Sequence, residues 1–220
     1  MPSKDIGARA FTLIETIVVV AIIGITTALA TAAWQHTQTA AQATQCLANL
    51  RSIGVAAANF SVEHDGLLPP STHQGPAEAW QYVLRPYLEG RDKDVFKSPL
   101  APNPRQSFSY AINDFLTRNP YGAPGLNMAR RQNVGTPSQT LFFTLMTAAY
   151  GPSDHFHFAS AEDGGYSPSG FQWQVQTDVA NGRGHYLYVD GHASAIPWDQ
   201  IKTELRRPGS TFIDPRGIDH

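Results

Sequence analysis

The most prominent pattern in the chain is an apolar run of membrane length near its start. Between Phe11 and Trp34 the only charged side chain is Glu15. The length matches the ~20 apolar residues, rising ~1.5 Å each, that cross a ~30 Å hydrocarbon core. A charge inside such a helix costs at least ~2.5 kcal/mol on insertion scales, so Glu15 is expected to meet a cationic partner. Residues 11–34 are therefore predicted to form the transmembrane half of a helix.

The helical pattern continues past the membrane run as an amphipathic stripe. No proline or turn cluster interrupts it before Asp65-Gly66. Apolar side chains recur at steps of three and four residues, which is the spacing of one helix face: Leu47, Leu50, Ile53, Ala57 and Phe60. The pattern predicts one helix from about Phe11 to Glu63, with residues 35–65 as its amphipathic continuation.

The remaining residues, 66–220, have the pattern of a small globular domain. Apolar positions predict a short second helix over residues 78–88, which Pro86 kinks or divides. Residues 140–146 are typical of a buried strand. Residues 171–176 alternate apolar and polar side chains with period two, which predicts a half-buried strand.

Glycine, proline and asparagine mark the turns and loops of this domain. Asp190-Gly191 predicts a hairpin over residues 184–196, because glycine accepts the positive φ that such turns require. Residues 98–135 read as loops around short segments such as 107–115, and residues 162–170 as an exposed loop. The predicted fold class is α+β, with the long N-terminal helix packed on a small antiparallel β-sheet domain.

The first residues of the apolar run carry a recognisable motif. Ala10-Phe11-Thr12-Leu13-Ile14-Glu15, after a short basic segment, resembles the leader of type IV prepilins and type II secretion pseudopilins. The resemblance implies a pilin-like fold, with residues 1–10 removed by a prepilin peptidase between Ala10 and Phe11. It also implies N-methylation of Phe11. Glu15 would then neutralise the α-ammonium of a neighbouring subunit in a fibre.

Two other interpretations of the apolar run stay open. An ordinary secretory signal peptide could be cleaved at Ala28-Leu29-Ala30 or at Ala30-Thr31-Ala32. A plain signal anchor could tolerate Glu15 near the membrane interface. The agreement of the whole motif, rather than Glu15 alone, favours the prepilin interpretation.

A second resemblance covers the amphipathic half of the helix. Residues 46–54, with the pattern Cys-x-x-Asn-Leu-Arg-x-Ile-Gly, resemble a segment of a pseudopilin-like family of planctomycete and verrucomicrobial bacteria. Residues 65–70, Asp-Gly-Leu-Leu-Pro-Pro, and the Asp190-Gly191-His192 sequence resemble the same family. That family carries a histidine ten residues before this aspartate, where the present chain has Ala180.

Charge and cysteine content narrow the classes of protein further. Lys4 and Arg9 precede the apolar run and no cation follows it until Arg51, which predicts a cytoplasmic N-terminus and an exported domain. A formal net charge of −2 with scattered cations argues against nucleic-acid binding. Cys46 is the single cysteine, so no disulfide can form within the chain, and its predicted state is a half-buried helix thiol.

Histidine and acidic side chains supply the candidate chemistry of the domain: Asp154, His155 and His157, and further along His185, Asp190 and His192. On a strand, His155 and His157 would point to one face and could bind a metal if a third ligand converged. Some major pseudopilins hold calcium in a C-terminal loop, where Asp163, Asp178 or Asp190 could supply oxygens. No ligand spacing names such a site, and no complete catalytic motif is present.

The sequence therefore predicts a structural subunit and names no catalytic residue, metal site or cofactor. The predicted protein is a pseudopilin or minor-pilin-like subunit of the bacterial inner membrane with a periplasmic domain. Its predicted partners are the prepilin peptidase, other pilin or pseudopilin subunits and an inner-membrane assembly platform. The alternative is a membrane-tethered periplasmic binding protein that does not polymerise, and a metal-dependent exported enzyme is a third reading.

Overall fold

A computed structural model of the chain describes residues 12–103, 106–118, 120, 127–151, 153–158 and 167–217. The chain separates into two compact units, residues 1–41 and 42–220. The mixed α+β class is confirmed, because a long N-terminal helix precedes a five-stranded sheet.

The first helix, α1, spans Leu13–Glu63, and its bounds confirm the predicted single helix. From Thr12 to Thr31 every side chain is exposed. Within the described residues this is the one helix long and apolar enough to cross a membrane. A polypeptide with so many exposed isoleucine and valine side chains needs an apolar environment or a partner.

The second half of α1 packs into the domain as predicted. Of the predicted stripe, Leu50, Ile53, Ala57 and Phe60 are buried at 6% exposure or less, whereas Leu47 is half-buried at the edge of the core and Cys46 takes the buried position beside it. Their spacing of three and four residues puts them on one face of the helix. Cys46 is more buried than predicted, with 0% of its surface exposed.

Within the described residues the sheet has five strands in the order β3-β1-β2-β4-β5. Their bounds are as follows: β1 Tyr110–Asn113, β2 Leu141–Leu145, β3 His155–Phe156, β4 Arg183–Tyr188 and β5 Ala193–Pro197. Three pairs are antiparallel, but β1 and β3 are parallel. The prediction of an antiparallel sheet is therefore wrong at one edge, because a short strand that returns from a long connection can pair in the parallel direction.

The strand over residues 140–146 and the hairpin over 184–196 are confirmed by β2 and by the β4–β5 pair. The hairpin turns at Gly191, whose φ is 100°. Asp190 Oδ1 accepts a hydrogen bond from the backbone N–H of His192 at 3.0 Å. Side-chain acceptance by an aspartate is typical of such turns.

The strand predicted over residues 171–176 is wrong. Helix α4 spans Pro168–Gln174, with Ser167 accepting from the backbone N–H of Gly170 at 3.0 Å. A capping serine followed by proline at the first helical position outweighs the short alternation. The predicted exposed loop over 162–170 is wrong at its end for the same reason, since Gly170 is a buried helix residue.

The predicted second helix is divided at Leu84, into α2, Trp80–Val83, and a 3-10 turn, Arg85–Leu88, which has Pro86 at its second position. Helix α3 spans Asp92–Val95 and α5 spans Trp198–Leu205. Further 3-10 turns cover Thr72–Gln74, Pro76–Glu78, Asp114–Leu116 and Arg131–Asn133.

The described part of the chain forms two apolar cores against the sheet. One contains the buried stripe of α1 with Trp80, Ile112 and Leu187. The other contains Ala111, Phe171, Tyr186, Ile201 and Phe212. Neighbouring residues of β1 and β4 alternate between the cores, as side chains of a strand must.

The motif at residues 46–54 packs against the β4–β5 hairpin and the segment after α3. A Cβ on Gly54 would lie 3.0 Å from Leu187 Cδ1, so glycine allows the helix and the strand to pack closely at this point. Arg51 Nη2 donates to the carbonyl of Ala193 at 3.4 Å. Asn49 Nδ2 donates to the carbonyls of Asp94 and Lys97, both at 3.1 Å. These contacts explain the motif as an interface within the fold.

Candidate functional site

Glu15, the single charge of the apolar run, lies at the first turn of α1. Its Oε2 accepts hydrogen bonds from the backbone N–H and the hydroxyl of Thr12, both at 2.8 Å. In return the backbone N–H of Glu15 donates to Thr12 Oγ1 at 3.3 Å. This reciprocal pairing is a capping box, which satisfies helix N-terminal donors. Glu15 therefore has a role within its own helix in addition to any role between subunits.

The predicted processing positions precede this cap. Ala10 and Phe11 lie outside the described residues. The helix begins at Leu13, two positions after the predicted new N-terminus. The capping box thus belongs to the residues that would remain after cleavage.

Three histidines meet at the edge of the sheet where β3 lies. His73 belongs to the 3-10 turn Thr72–Gln74, His155 to β3, and His157 follows two residues later. One ligand atom from each lies within 4.8 Å of the others. Among the described residues this is the one such group of histidine, cysteine and acidic side chains. We call it the histidine cluster.

His73 is held by a buried carboxylate. Its Nδ1 lies 3.1 Å from Asp114 Oδ2, and Asp114 is fully buried. The hydroxyls of Ser71 and Thr117 each donate to Asp114 Oδ1 at 3.0 Å. The hydrogen bond to Asp114 raises the pKa of His73, and partial burial opposes that rise.

His155 is held in the same way by its neighbour. Its Nδ1 lies 2.7 Å from Asp154 Oδ1, and both residues are buried. Thr72 donates to this carboxylate from its backbone N–H at 2.9 Å and from its hydroxyl at 2.6 Å. Trp80 Nε1 donates to the Asp154 carbonyl at 2.8 Å. The turn that carries His73 is therefore tied directly to the strand that carries His155.

His157 is positioned through its backbone by α4. Gln174, which is fully buried, accepts from the His157 N–H at 3.1 Å and donates to the His157 carbonyl at 2.5 Å. This two-point contact replaces a strand partner beyond the end of β3. The sequence interpretation had placed Gln174 in a strand, so it missed this contact.

The other candidate side chains lie elsewhere. His192 Nδ1 lies 2.6 Å from Asp190 Oδ1 at the hairpin turn. Asp178 Oδ1 accepts from the Gly182 N–H at 2.9 Å, which stabilises another turn. His185 is buried on β4, and desolvation lowers its pKa to about 4. Asp163 lies outside the described residues.

A cavity of about 710 Å³ adjoins the histidine cluster. Thr72 and Asp154 line it together with the cations Arg85, Lys93 and Lys97. Gln81 also lines it, and the buried Gln81 Oε1 has no hydrogen-bond partner among the residues that the structure describes. The cavity is large enough for a small molecule, since ligand pockets begin near ~300 Å³.

His73 is the cluster member that the sequence analysis missed. It lies 82 positions before His155, and no residue spacing links the two. The nearest signal is the Pro69-Pro70 pair, which predicts a turn after α1 but says nothing of its direction. Comparison of the chain with models of protein families, with curated proteins and with solved structures finds no match.

Proposed function

We propose that the protein is a pseudopilin or minor-pilin-like subunit that enters a fibre through the first half of α1. The observation that carries the proposal is the exposed apolar surface of that half, from Leu13 to Trp34, with Glu15 as its single charge. The domain beyond it has its own buried cores. A fibre subunit needs such a helix. Its apolar half crosses the membrane before extraction and packs against other subunits afterwards, while its second half stays packed in the domain.

In the proposed mechanism, prepilin peptidase cuts between Ala10 and Phe11, and the Phe11 α-amine becomes an ammonium inside the helix bundle. Glu15 of one subunit then pairs with the Phe11 ammonium of another on the inner-membrane assembly platform. A buried charge without its partner costs several kcal/mol, which favours a single axial register. The domain would lie in the periplasm, because the cations precede the apolar run.

The first test is mass spectrometry of the N-terminal peptide from a host that expresses a prepilin peptidase. The expected peptide begins with N-methylated Phe11. An intact leader would refute processing by this pathway, and cleavage near Ala30 or Ala32 would make the protein a secreted one without a helix anchor.

The capping box makes a sharper test of Glu15 possible. Glu15→Gln keeps the side-chain acceptor for Thr12 and removes the charge, whereas Glu15→Ala removes both. Under the proposal, both variants are processed and both assemble poorly. Assembly of Glu15→Gln at the wild-type level would show that Glu15 serves only as a cap and would overturn the charge-pairing mechanism.

A second candidate is a membrane-tethered binding protein that does not polymerise. The cavity beside the histidine cluster favours it, because charged side chains of both signs line it, including Arg85 paired with Asp92 at 3.3 Å. Its buried Gln81 Oε1 has no partner within the described part of the chain. Cysteine placed at exposed Val20 distinguishes the two, because Cys46 is buried and does not compete. A fibre subunit gives crosslinked homodimers or dimers with other pilins at Val20→Cys and none at the domain-surface control Trp173→Cys.

A further inference from the structure

We propose that the histidine cluster is a binding site for one transition-metal ion, with Zn²⁺ as the fitting case. The ligands are His73, His155 and His157, and the two carboxylates behind them are Asp114 and Asp154. This site is independent of whether the protein assembles into a fibre. It would join the turn after α1 to the edge strand β3.

The ring positions fit a shared ion. Imidazoles bound to one zinc at ~2.0–2.1 Å have ring centroids about 5 Å apart in tetrahedral geometry. The three centroid separations are 4.1 Å for His73–His155, 5.3 Å for His155–His157 and 5.9 Å for His73–His157. One ring nitrogen from each histidine already lies within 4.8 Å of the others, and nitrogens that share a tetrahedral zinc are about 3.4 Å apart, so binding requires the rings to draw closer together.

The carboxylates orient two of the ligands. Asp114 lies at His73 Nδ1 and Asp154 at His155 Nδ1, so each Nδ1 carries the proton in the neutral ring. Each Nε2 then presents its lone pair on the opposite side of the ring. A metal-bound histidine whose other nitrogen donates to a carboxylate is the usual arrangement, because it fixes the tautomer and raises ligand basicity.

The carboxylates are in turn fixed by backbone and hydroxyl donors of the neighbouring turns. Thr72 donates twice to Asp154, and Ser71 and Thr117 donate to Asp114. Both carboxylates are buried, at 0% and 2% exposure. Two buried carboxylates therefore lie behind rings whose centroids are 4.1 Å apart, an arrangement that suits a cation held between the rings.

The donor set selects the class of ion. Imidazole nitrogen suits zinc, copper and nickel, whereas calcium and magnesium require oxygen ligands. The side chain of His73 is 28% exposed, which gives an ion a route from solvent. Zn²⁺ accepts three protein ligands and a fourth position without a fixed electronic preference.

The test is calorimetric titration of the untagged full-length protein, in detergent and stripped of metal, with Zn²⁺. We expect one ion per chain and a rise in the thermal unfolding midpoint on saturation. His73→Ala and His157→Ala should each weaken binding at least hundredfold, and Asp114→Asn about tenfold or more. The matched control is His192→Ala, because His192 has a similar 2.6 Å contact to Asp190 and lies outside the cluster.

His73→Ala and His157→Ala decide the result, because neither side chain is fully buried and both variants should fold. Histidine modification by diethyl pyrocarbonate gives a second readout that needs no variant. Zinc should protect His73 and His157 and leave His192 reactive. Absence of one-to-one binding, binding that survives either deciding variant within threefold, or equal protection of His192 would overturn the site.

Discussion

Replacement of Asn113 tests how much the hydrogen bonds of one buried side chain stabilise the sheet behind the histidine cluster. Asn113 ends β1 and is fully buried. Its Nδ2 donates to the carbonyl of Leu141 at 2.9 Å and to that of Ile213 at 2.7 Å. Its Oδ1 accepts from the Phe115 N–H at 3.2 Å, at the start of the turn that contains Asp114. One amide therefore joins β1, β2 and the C-terminal segment.

The magnitude follows from these three bonds. Each contributes about 1 kcal/mol, and the two carbonyls lose a donor in a buried environment, so Asn113→Ala should cost about 3 kcal/mol. Asn113→Asp has the same shape but turns an acceptor toward two carbonyl oxygens. Burial of that charge or its forced protonation should raise the cost to about 4 kcal/mol or more.

The assay is urea unfolding of the full chain in detergent, followed by tryptophan fluorescence. The matched control is Asn133, whose exposed side chain makes one bond, to the Asn127 carbonyl at 2.6 Å. Asn133→Ala and Asn133→Asp should each change the free energy of unfolding by less than about 1 kcal/mol. If Asn113→Asp were as stable as wild type, the argument that its amide donates to two buried carbonyls would be refuted.

Three further predictions concern helix α4 and strand β4. Gly184→Ala should lower the free energy of urea unfolding by about 2 kcal/mol or more, because the new Cβ would lie 2.1 Å from the Oη of the buried Tyr186. An unchanged free energy of unfolding would mean that the Tyr186 ring is free to move. Phe171→Ala should lower the free energy of unfolding by about 3–5 kcal/mol and Trp173→Ala by about 1 kcal/mol, because α4 buries Phe171 and leaves Trp173 45% exposed. Equal losses would instead support a strand, in which the two side chains would share one face. Since burial lowers the pKa of His185 to about 4, the unfolded chain binds more protons below pH ~6.5, and stability should fall by about 2 kcal/mol from pH 7 to pH 5. His185→Leu should remove that part of the slope in thermal melts, and an unchanged slope would contradict the assignment.

The sequence predicts those parts of the fold that depend on neighbouring residues. The stripe of α1 repeats every three or four residues, and the Asp190-Gly191 pair is itself a turn signal. Both predictions depend on neighbouring residues, and both are confirmed. The alternation at residues 171–176 is ambiguous, because Phe171 and Gln174 are about one helical turn apart and can also share one face of a helix. Ser167 and Pro168 were the better signal, and they come before the alternating segment.

Two of the three members of the histidine cluster were candidates from the sequence. The sequence offers His155 and His157 as a pair that could bind a metal if a third ligand converged, and metal binding there remains a proposal. His73 reaches them because Thr72 binds Asp154 and Ser71 binds Asp114, contacts between residues distant in the sequence. Sequence periodicity carries no information about such contacts, since they depend on how the turn after α1 crosses the sheet edge.

The buried position of Cys46 has a consequence for covalent chemistry in an oxidising compartment. The thiol is the single one in the chain and has 0% exposure, with the Tyr110 hydroxyl 3.5 Å from its sulfur. Burial raises its pKa, which suppresses the reactive thiolate. A disulfide-linked dimer of the protein would therefore record a chain that had opened its core before oxidation. Thiol reagents should not label the native domain while α1 stays packed against its core. The labelling rate would therefore measure how often the domain opens.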